Sequence, residues 1–562
     1  MEELLRVEYK FSNLRIIQIK GLDLKEYHYL KFSEADDVCI ASPGLPALPT
    51  KGAKILLPYG KEIKEINVIG HGKVELLGKY TIYPVQRAVK LTVKPEDVLF
   101  VEPDAKIYSS LDVYPSELYT LGSVQTFRGY RILLLTLHPA HYIPRKGMVF
   151  YYTSLEVKLT LTDSKTSQTT TFRGLPEDEA EVKEIVDNPG VAVTYNAAKT
   201  STAGSSKAPK GGAIPSGTWE YVIITNESLT STYQLLANHR NTTGVNATVV
   251  TVEWILSTPY YATTPYTAVD DQTKIRNFIT DAYNNWSTRY VLLGRDHSKD
   301  ASIPPNTRIQ AREIIVQETE FDRIPCDLYY GGLDGNWDGN GNGKYGEYLD
   351  PIDEADLYAE VYIGRVPSDT EVQAYNFVQK VIGYENQSST ESYLLTALMI
   401  GEKLDDTPTW GSDAKDVIAS MLPENYAIKN LSDKDGTYSS AQVENELSYN
   451  TPHIVNHVGH ASPSSVAGLS EDACNRLINS KYFLFYSQGC NAGRFTYHPT
   501  SAAIDSIGED LILYKNCSFA FIGNSYYGYY YSGSGVVNGP SQKYDKEFFK
   551  KVFGDEIYHI GK

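Results

Sequence analysis

Tyr482-Phe483-Leu484-Phe485-Tyr486 is an apolar run that stops at Ser487-Gln488-Gly489-Cys490. A short apolar run closed by polar and glycine positions reads as a strand buried on both faces, as in a parallel sheet. Upstream, a second apolar stretch ends in His457-Val458-Gly459-His460. Two such strands side by side deliver a thiol and an imidazole to the same end of one sheet. A thiolate attacks a carbonyl carbon, and an imidazole handles protons for the leaving group and for water, so the pair is the minimum equipment for covalent acyl transfer. Cys490 is therefore the candidate nucleophile and His460 its proton carrier. Either residue alone would read as structural; their conjunction at two strand ends carries the assignment. Gly459 supplies the tight backbone such a position needs; His453 and His457 are close competitors, which strand alternation would turn to the opposite face.

Outward from this pair, apolar strands at 395–400, 453–456, 482–486 and 519–523 alternate with helical patterns at 412–421 and 470–477. An earlier set, with strands at 220–224, 290–293 and 361–364 and helices at 272–286 and 371–384, repeats the scheme. Strand–helix alternation predicts helix-covered parallel sheets, so two α/β subdomains are expected, 218–390 and 391–562. Ligands of open parallel sheets bind beyond the carboxyl ends of the strands, where His460 and Cys490 fall. Residues 1–195 differ: short alternating segments at 65–69, 89–93 and 154–161 between turns predict an antiparallel β-sandwich. The stretch 196–217, with small residues and Lys199, Lys207 and Lys210, reads as a cleavable linker.

The 562 residues exceed what one core can organise. A formal charge of −17 argues against nucleic acid, which requires a basic face. No apolar run is long enough for a membrane span. Met1-Glu2-Glu3-Leu4-Leu5-Arg6 lacks the regions of a secretory leader. The chain is thus expected to be either cytosolic or secreted with its leader removed, and the Asn-x-Ser/Thr sites at Asn226, Asn241, Asn246, Asn285, Asn386, Asn430 and Asn516 permit an extracellular or cell-surface protein. The five cysteines, Cys39, Cys326, Cys474, Cys490 and Cys517, are an odd number without metal-type spacing, which leaves at least one thiol free.

Between the two α/β sets lies a run with oxygen side chains at alternate positions and glycines between them: Asp334, Asn336, Asp338, Asn340, Asn342 and then Glu347. Calcium takes six to eight hard oxygens, so an irregular structural calcium loop is expected. Tyr345 replaces the closing glutamate of an EF-hand, which excludes the standard form.

The phrases Val458-Gly459-His460-Ala461 and Gln488-Gly489-Cys490 resemble those of the gingipain family of caspase-like cysteine peptidases. So do Tyr290 to His297, Glu360 to Arg365 and Phe519 to Ser525, and Gly44-Leu45-Pro46-Ala47-Leu48-Pro49 is similar to that family's propeptide. The resemblance implies a caspase-like catalytic domain behind an intramolecular propeptide: a secreted, latent endopeptidase acting on polypeptides. The choice of His460 over His453 and His457 is what the resemblance implies. It implies an oxyanion hole of backbone N–H groups from Cys490 and Ala461, the latter standing where the family has glycine. It places Asp327 in an acidic cluster near the site, as a candidate to orient the imidazole. It also places Asp356 at the floor of a primary pocket for Arg, or less well Lys, on the acyl side of the scissile bond. A basic preference would let the enzyme process itself at Arg173, in Arg173-Gly174-Leu175-Pro176, or at the linker lysines. Two other classes fit the same residues: a sortase-like transpeptidase, with an amine in place of water, and a non-catalytic adhesin, which Ala461 alone favours.

Overall fold

The computed structural model describes residues 3–559 except 13, 22, 36–41, 93–98, 165–170, 197–216, 298–303, 316–322, 348–354, 407–408 and 497–504. Cys39 and the candidate processing sites Lys199, Lys207 and Lys210 lie outside the described residues. The chain divides into two compact units, Met1–Arg87 with Leu99–Lys207, and Ala88–Val98 with Ala208–Lys562.

In the first unit the strand Met148–Asp163 runs antiparallel between Glu3–Lys10 and Lys61–Glu75, and Ala140–Ile143 also pairs with it. A second antiparallel sheet sets Tyr130–Leu137 between Lys51–Leu56 and Tyr119–Phe127. Alternation decides which face of each strand is apolar. Leu155, Val157, Leu159 and Leu161 on one sheet and Ile55, Leu133, Leu135 and Leu137 on the other share a single buried cluster, the sandwich expected for the N-terminal region. Arg173, expected as an exposed processing site, is instead folded away. Its side chain is 5% exposed, with Nε and Nη2 donating to Asp178 at 2.9 and 2.7 Å. Arg128, also buried, shares Asp178 and adds Glu181 at 2.7 Å.

One segment of the N-terminal third departs from the expected division. Val89–Lys90, read from its alternation as a sandwich strand, belongs to the second unit and pairs antiparallel with Tyr529–Tyr530. Alternation identifies a strand but carries no information about its partner.

The second unit contains two parallel sheets. The first orders its strands as Ala247–Thr251, Tyr221–Thr225, Tyr290–Leu293 and Tyr362–Arg365. The other runs Ala427–Ser432, Thr396–Gly401, Ile454–Val458, Leu484–Ser487 and Ala520–Ile522. In both, the strand earliest in sequence is second in space, so the strand order reverses between it and its later neighbour, and a crevice opens at the carboxyl ends there. Helices are started by side-chain caps: Asp270 for Asp271–Trp286, and a Thr370–Gln373 capping box for Glu371–Glu385.

Every residue of Ile454–Val458 is buried, including Asn456 and His457. Buried polar groups demand partners. Asn456 donates to Asp545 Oδ1 at 2.8 Å and accepts from Lys415, which pairs with Asp545 Oδ2 at 2.6 Å. Gln488, two residues before Cys490, also donates to Asp545, and its own carbonyl accepts from Gln542 at 2.7 Å. One carboxylate on the helix Pro540–Phe549 thus ties the central strand, the helix Gly411–Ala419 and the approach to Cys490 together. Asp545→Ala leaves Lys415 buried without a counter-charge and is expected to destabilise this unit by about 3–5 kcal/mol, measured as a lowered denaturant midpoint against wild type.

Candidate active site

The switch point of the second sheet lies between Thr396–Gly401 and Ile454–Val458, and the residues that follow these strands face one another. Glu402 directly follows the first strand; Gly459 and His460 directly follow the other. The Glu402 carboxylate accepts the His460 backbone N–H at 3.0 Å, lies 3.0 Å from His457 Nε2, and accepts the Tyr438 hydroxyl at 2.7 Å. On its far side His457 Nδ1 meets Ser487 Oγ at 2.9 Å. Burial works to raise the Glu402 carboxyl, but His457, Tyr438 and the His460 N–H overcome it and hold it below the usual glutamate range. Gly459 is required by this close packing: a Cβ there would stand 2.3 Å from Glu402 Cδ and 2.5 Å from His457 Nε2. The sequence reading missed Glu402. Its signal is its place immediately after the first strand of the second set.

Cys490 lies in the turn after Leu484–Ser487 and is fully buried. Gln488 N–H donates to His457 O at 3.0 Å, extending the strand pairing by one step. Asn524 Nδ2 donates to the carbonyls of Gln488 and Gly489 at 2.7 and 3.1 Å, and Asn491 takes the left-handed conformation at φ 58°. Gly528 N–H donates to the sulfur at 3.2 Å, and the thiol reaches Gly528 O at 3.6 Å. Burial pushes the thiol up to about 11, against smaller opposing contributions from Gly528, Leu91, Thr92 and Lys90. Ala461 packs directly on this turn, since a Cβ on Gly489 would stand 2.4 Å from the Ala461 Cβ. Glycine at 489 is what makes room for alanine at 461.

His460 and Cys490 are joined through a third residue. His460 Nδ1 meets the Leu91 carbonyl oxygen, the Leu91 N–H donates to Gly528 O at 2.9 Å, and the Leu91 side chain is fully buried in one cluster with Cys490. Leu91 directly follows the strand Val89–Lys90 that pairs with Tyr529–Tyr530, and it lies against both the thiol and the imidazole.

Two carboxylates expected at the site have other partners. Asp327 forms a two-point ion pair with Arg365, 2.6 Å to Nε and 2.8 Å to Nη2, and Arg365 also donates to the carbonyls of Arg295 and Ile309. Asp327 therefore orients a guanidinium at the end of the first sheet, and the carboxylate bonded to the histidine segment is Glu402. Asp356 accepts the Tyr358 N–H at 2.9 Å and lies buried beside Asp334 and Glu360. Burial and these neighbouring carboxyls push it up to about 10.

The Asn/Gly run closes on itself. Asp338 accepts the Gly343 N–H, Asn340 Oδ1 the Asn342 N–H at 2.9 Å, and Asn342 Oδ1 the Lys344 N–H at 2.7 Å, while Asn342 Nδ2 donates to Glu347. Asn336 Oδ1 accepts the Asp338 N–H at 3.3 Å. Hard oxygens on a glycine-rich loop suit calcium in type, but here they serve the loop's own turns. Among the described residues no group of three His, Cys, Asp or Glu is placed to hold a metal ion.

Among the described residues no helix is long and apolar enough to cross a membrane. Residues 214–562 match the family model for peptidase family C25, and residues 2–176 match that for the C25 propeptide. Solved structures similar to this chain include the Arg-specific cysteine proteinase gingipain R, 19% identical over 60% of this chain and 68% of that one, with a TM-score of 0.44. The complex of the pro- and mature domains of RgpB from Porphyromonas gingivalis is 18% identical over 59% of this chain and 68% of that one, with a TM-score of 0.43. A search of the curated proteins returns no match. With both family models fitting in the order propeptide then peptidase, the chain belongs to peptidase family C25 and is a cysteine peptidase carrying its propeptide.

Proposed function

We propose that the chain is a secreted endopeptidase that hydrolyses polypeptides through a Cys490 thioacyl intermediate and is held latent by residues 89–92. The observation that carries this reading is Leu91, whose carbonyl meets His460 Nδ1 while its backbone and side chain cover Cys490. A substrate peptide takes the place of the segment once it has left. Cys490 Sγ adds to the carbonyl carbon as its proton passes to His460, and the oxyanion is met by the N–H groups of Cys490 and Ala461. The C–N bond breaks as His460 returns the proton to the departing amine. Water, deprotonated by His460, then cleaves the thioester. Glu402 touches no substrate; by accepting the His460 N–H it positions the imidazole. Secretion is proposed from the acidic charge and the glycosylation sites of the sequence.

The expected cleavage after Arg or Lys rests on Asp356. That residue lies buried beside Asp334 and Glu360. Calcium is proposed as a structural ion on the 334–347 loop, with no part in the reaction. Calcium a hundredfold above its Kd is expected to raise the thermal midpoint by about 5 °C or more relative to chelator; equal midpoints would remove the ion from the account.

Two further outcomes test the site. Alkylation of Cys490 by iodoacetamide, followed at the Cys490 peptide by mass spectrometry, is expected to rise in the intact chain only as the pH approaches about 11. Because burial is the main cause, the rise moves to lower pH once residues 89–92 are removed. An unchanged profile would show that the segment does not shield the thiol. In the freed enzyme, Glu402→Gln is expected to lower kcat by about 100-fold while Cys490 stays alkylable.

A further inference from the structure

We propose that Cys474 and Cys517 become joined by a disulfide bond that braces the stretch of chain carrying Cys490. This rests on the secretion proposed above, and it adds a modification site outside the catalytic machinery.

The two thiols come from separate elements. Cys474 lies in the helix Glu471–Arg476, and Cys517 lies between the helix Ile507–Leu513 and the strand Ala520–Ile522. Both are buried in one apolar cluster. A lone buried cysteine reads as a small apolar side chain; two in contact have a reaction open to them. Their side chains are hydrogen-bonded to each other, and Cys517 Sγ also donates to the Cys474 carbonyl at 3.4 Å. Two cysteines can be bridged without moving the backbone only where their side chains already face each other, and these do.

The segments that carry them are held on either side of the sulfurs. Asn516 Nδ2 donates to Leu477 O at 3.1 Å, and the Tyr514 hydroxyl donates to Glu471 Oε1 at 3.0 Å. Ser518 donates to Leu511 O through its N–H and its hydroxyl, at 3.0 and 2.9 Å. Lys380 is the cation beside the pair. Its Nζ donates to Tyr514 O at 2.6 Å, to Leu511 O at 3.4 Å and to Ile512 O, so its three hydrogens have acceptors whether or not a thiolate is near. Oxidising the thiols therefore strands no buried charge. The hydrogen bond from Cys474 and the charge of Lys380 hold the Cys517 thiol below the usual range, while that same bond and burial raise Cys474. Cys517 is the attacking sulfur.

The two electrons go to a small-molecule or protein disulfide of an oxidising compartment. The Cys517 thiolate attacks one sulfur of that disulfide, forming a mixed disulfide and releasing one thiolate. Cys474 gives up its proton, attacks the Cys517 sulfur and releases the second. One S–S bond forms in the protein and one breaks in the oxidant, whose two thiolates take up the two protons. The closed loop, residues 474–517, contains the strand Leu484–Ser487, the turn of Cys490 and the helix Ile507–Leu513. Closing it restricts the unfolded chain and so stabilises the folded one.

The full chain is produced twice, once exported into an oxidising periplasm and once kept in a reducing cytosol. Each sample is denatured in N-ethylmaleimide, digested and mapped by mass spectrometry. The exported protein is expected to yield one peptide pair linked through Cys474 and Cys517, with Cys490 alkylated, and the cytosolic protein to yield all three alkylated. Alkylated Cys474 and Cys517 in the exported protein, or either one bonded to a different cysteine, overturns the proposal. The exported protein is also expected to melt about 5 °C or more above the cytosolic one, a difference that Cys474→Ala abolishes. Equal midpoints for the two wild-type samples overturn the bracing role. Neither readout uses turnover, so a cross-linked chain that cleaves no peptide removes the peptidase reading and leaves the disulfide standing.

Discussion

The site is organised by one carboxylate at the point where strand order reverses. Glu402 accepts at once from the backbone of His460, the ring of His457 and the hydroxyl of Tyr438. A carboxylate is costly to bury, and it persists here because these three contacts compensate the lost solvation. The same contacts fix the loop that carries the working imidazole. Gly459 follows from this arrangement, since any side chain there would fill the space the carboxylate occupies. Asp545 has the corresponding role on the other side of the sheet, where it holds Lys415, Asn456 and Gln488 in one buried network. Both networks converge on short turns after parallel strands, one carrying the imidazole and the other the thiol.

Much of the fold was legible because buried parallel strands are written as unbroken apolar runs, and Tyr482 to Tyr486 is such a run. The two α/β sets, the antiparallel N-terminal region and the strand-end positions of His460 and Cys490 all followed from local pattern. What was missed depends on pairing between distant residues. Glu402 is unremarkable in sequence; it becomes special only once its strand is known to neighbour Ile454–Val458. Val89–Lys90 alternates like any sandwich strand, and its partnership with Tyr529–Tyr530 is set by contacts more than four hundred positions away. Asp327 could have faced an imidazole or a guanidinium, and the choice was made by Arg365 at the end of another strand. The Asn/Gly run was ambiguous for a chemical reason. Side-chain oxygens alternating with glycine serve cation binding and Asx turns equally well.

Family membership fixes the chemistry as that of a cysteine peptidase, but not the side chain it selects. The turns that carry Cys490 and His460 are dictated by the reaction, whereas apolar residues packed around Leu91 come from other segments: Leu404, Ala414 and Val536.

The strand formed by Val89–Lys90 with Tyr529–Tyr530 has a consequence for how latency ends. While the chain is continuous, this strand is present at its binding edge at an effective concentration in the millimolar range or above, fixed by the tether. Cutting the connection elsewhere does not dislodge it; the same contacts remain, now between separate molecules. Activation is then a matter of dilution. If residues 89–92 hold latency as proposed, a nicked enzyme stays silent where it is crowded and gains activity as its released fragment disperses.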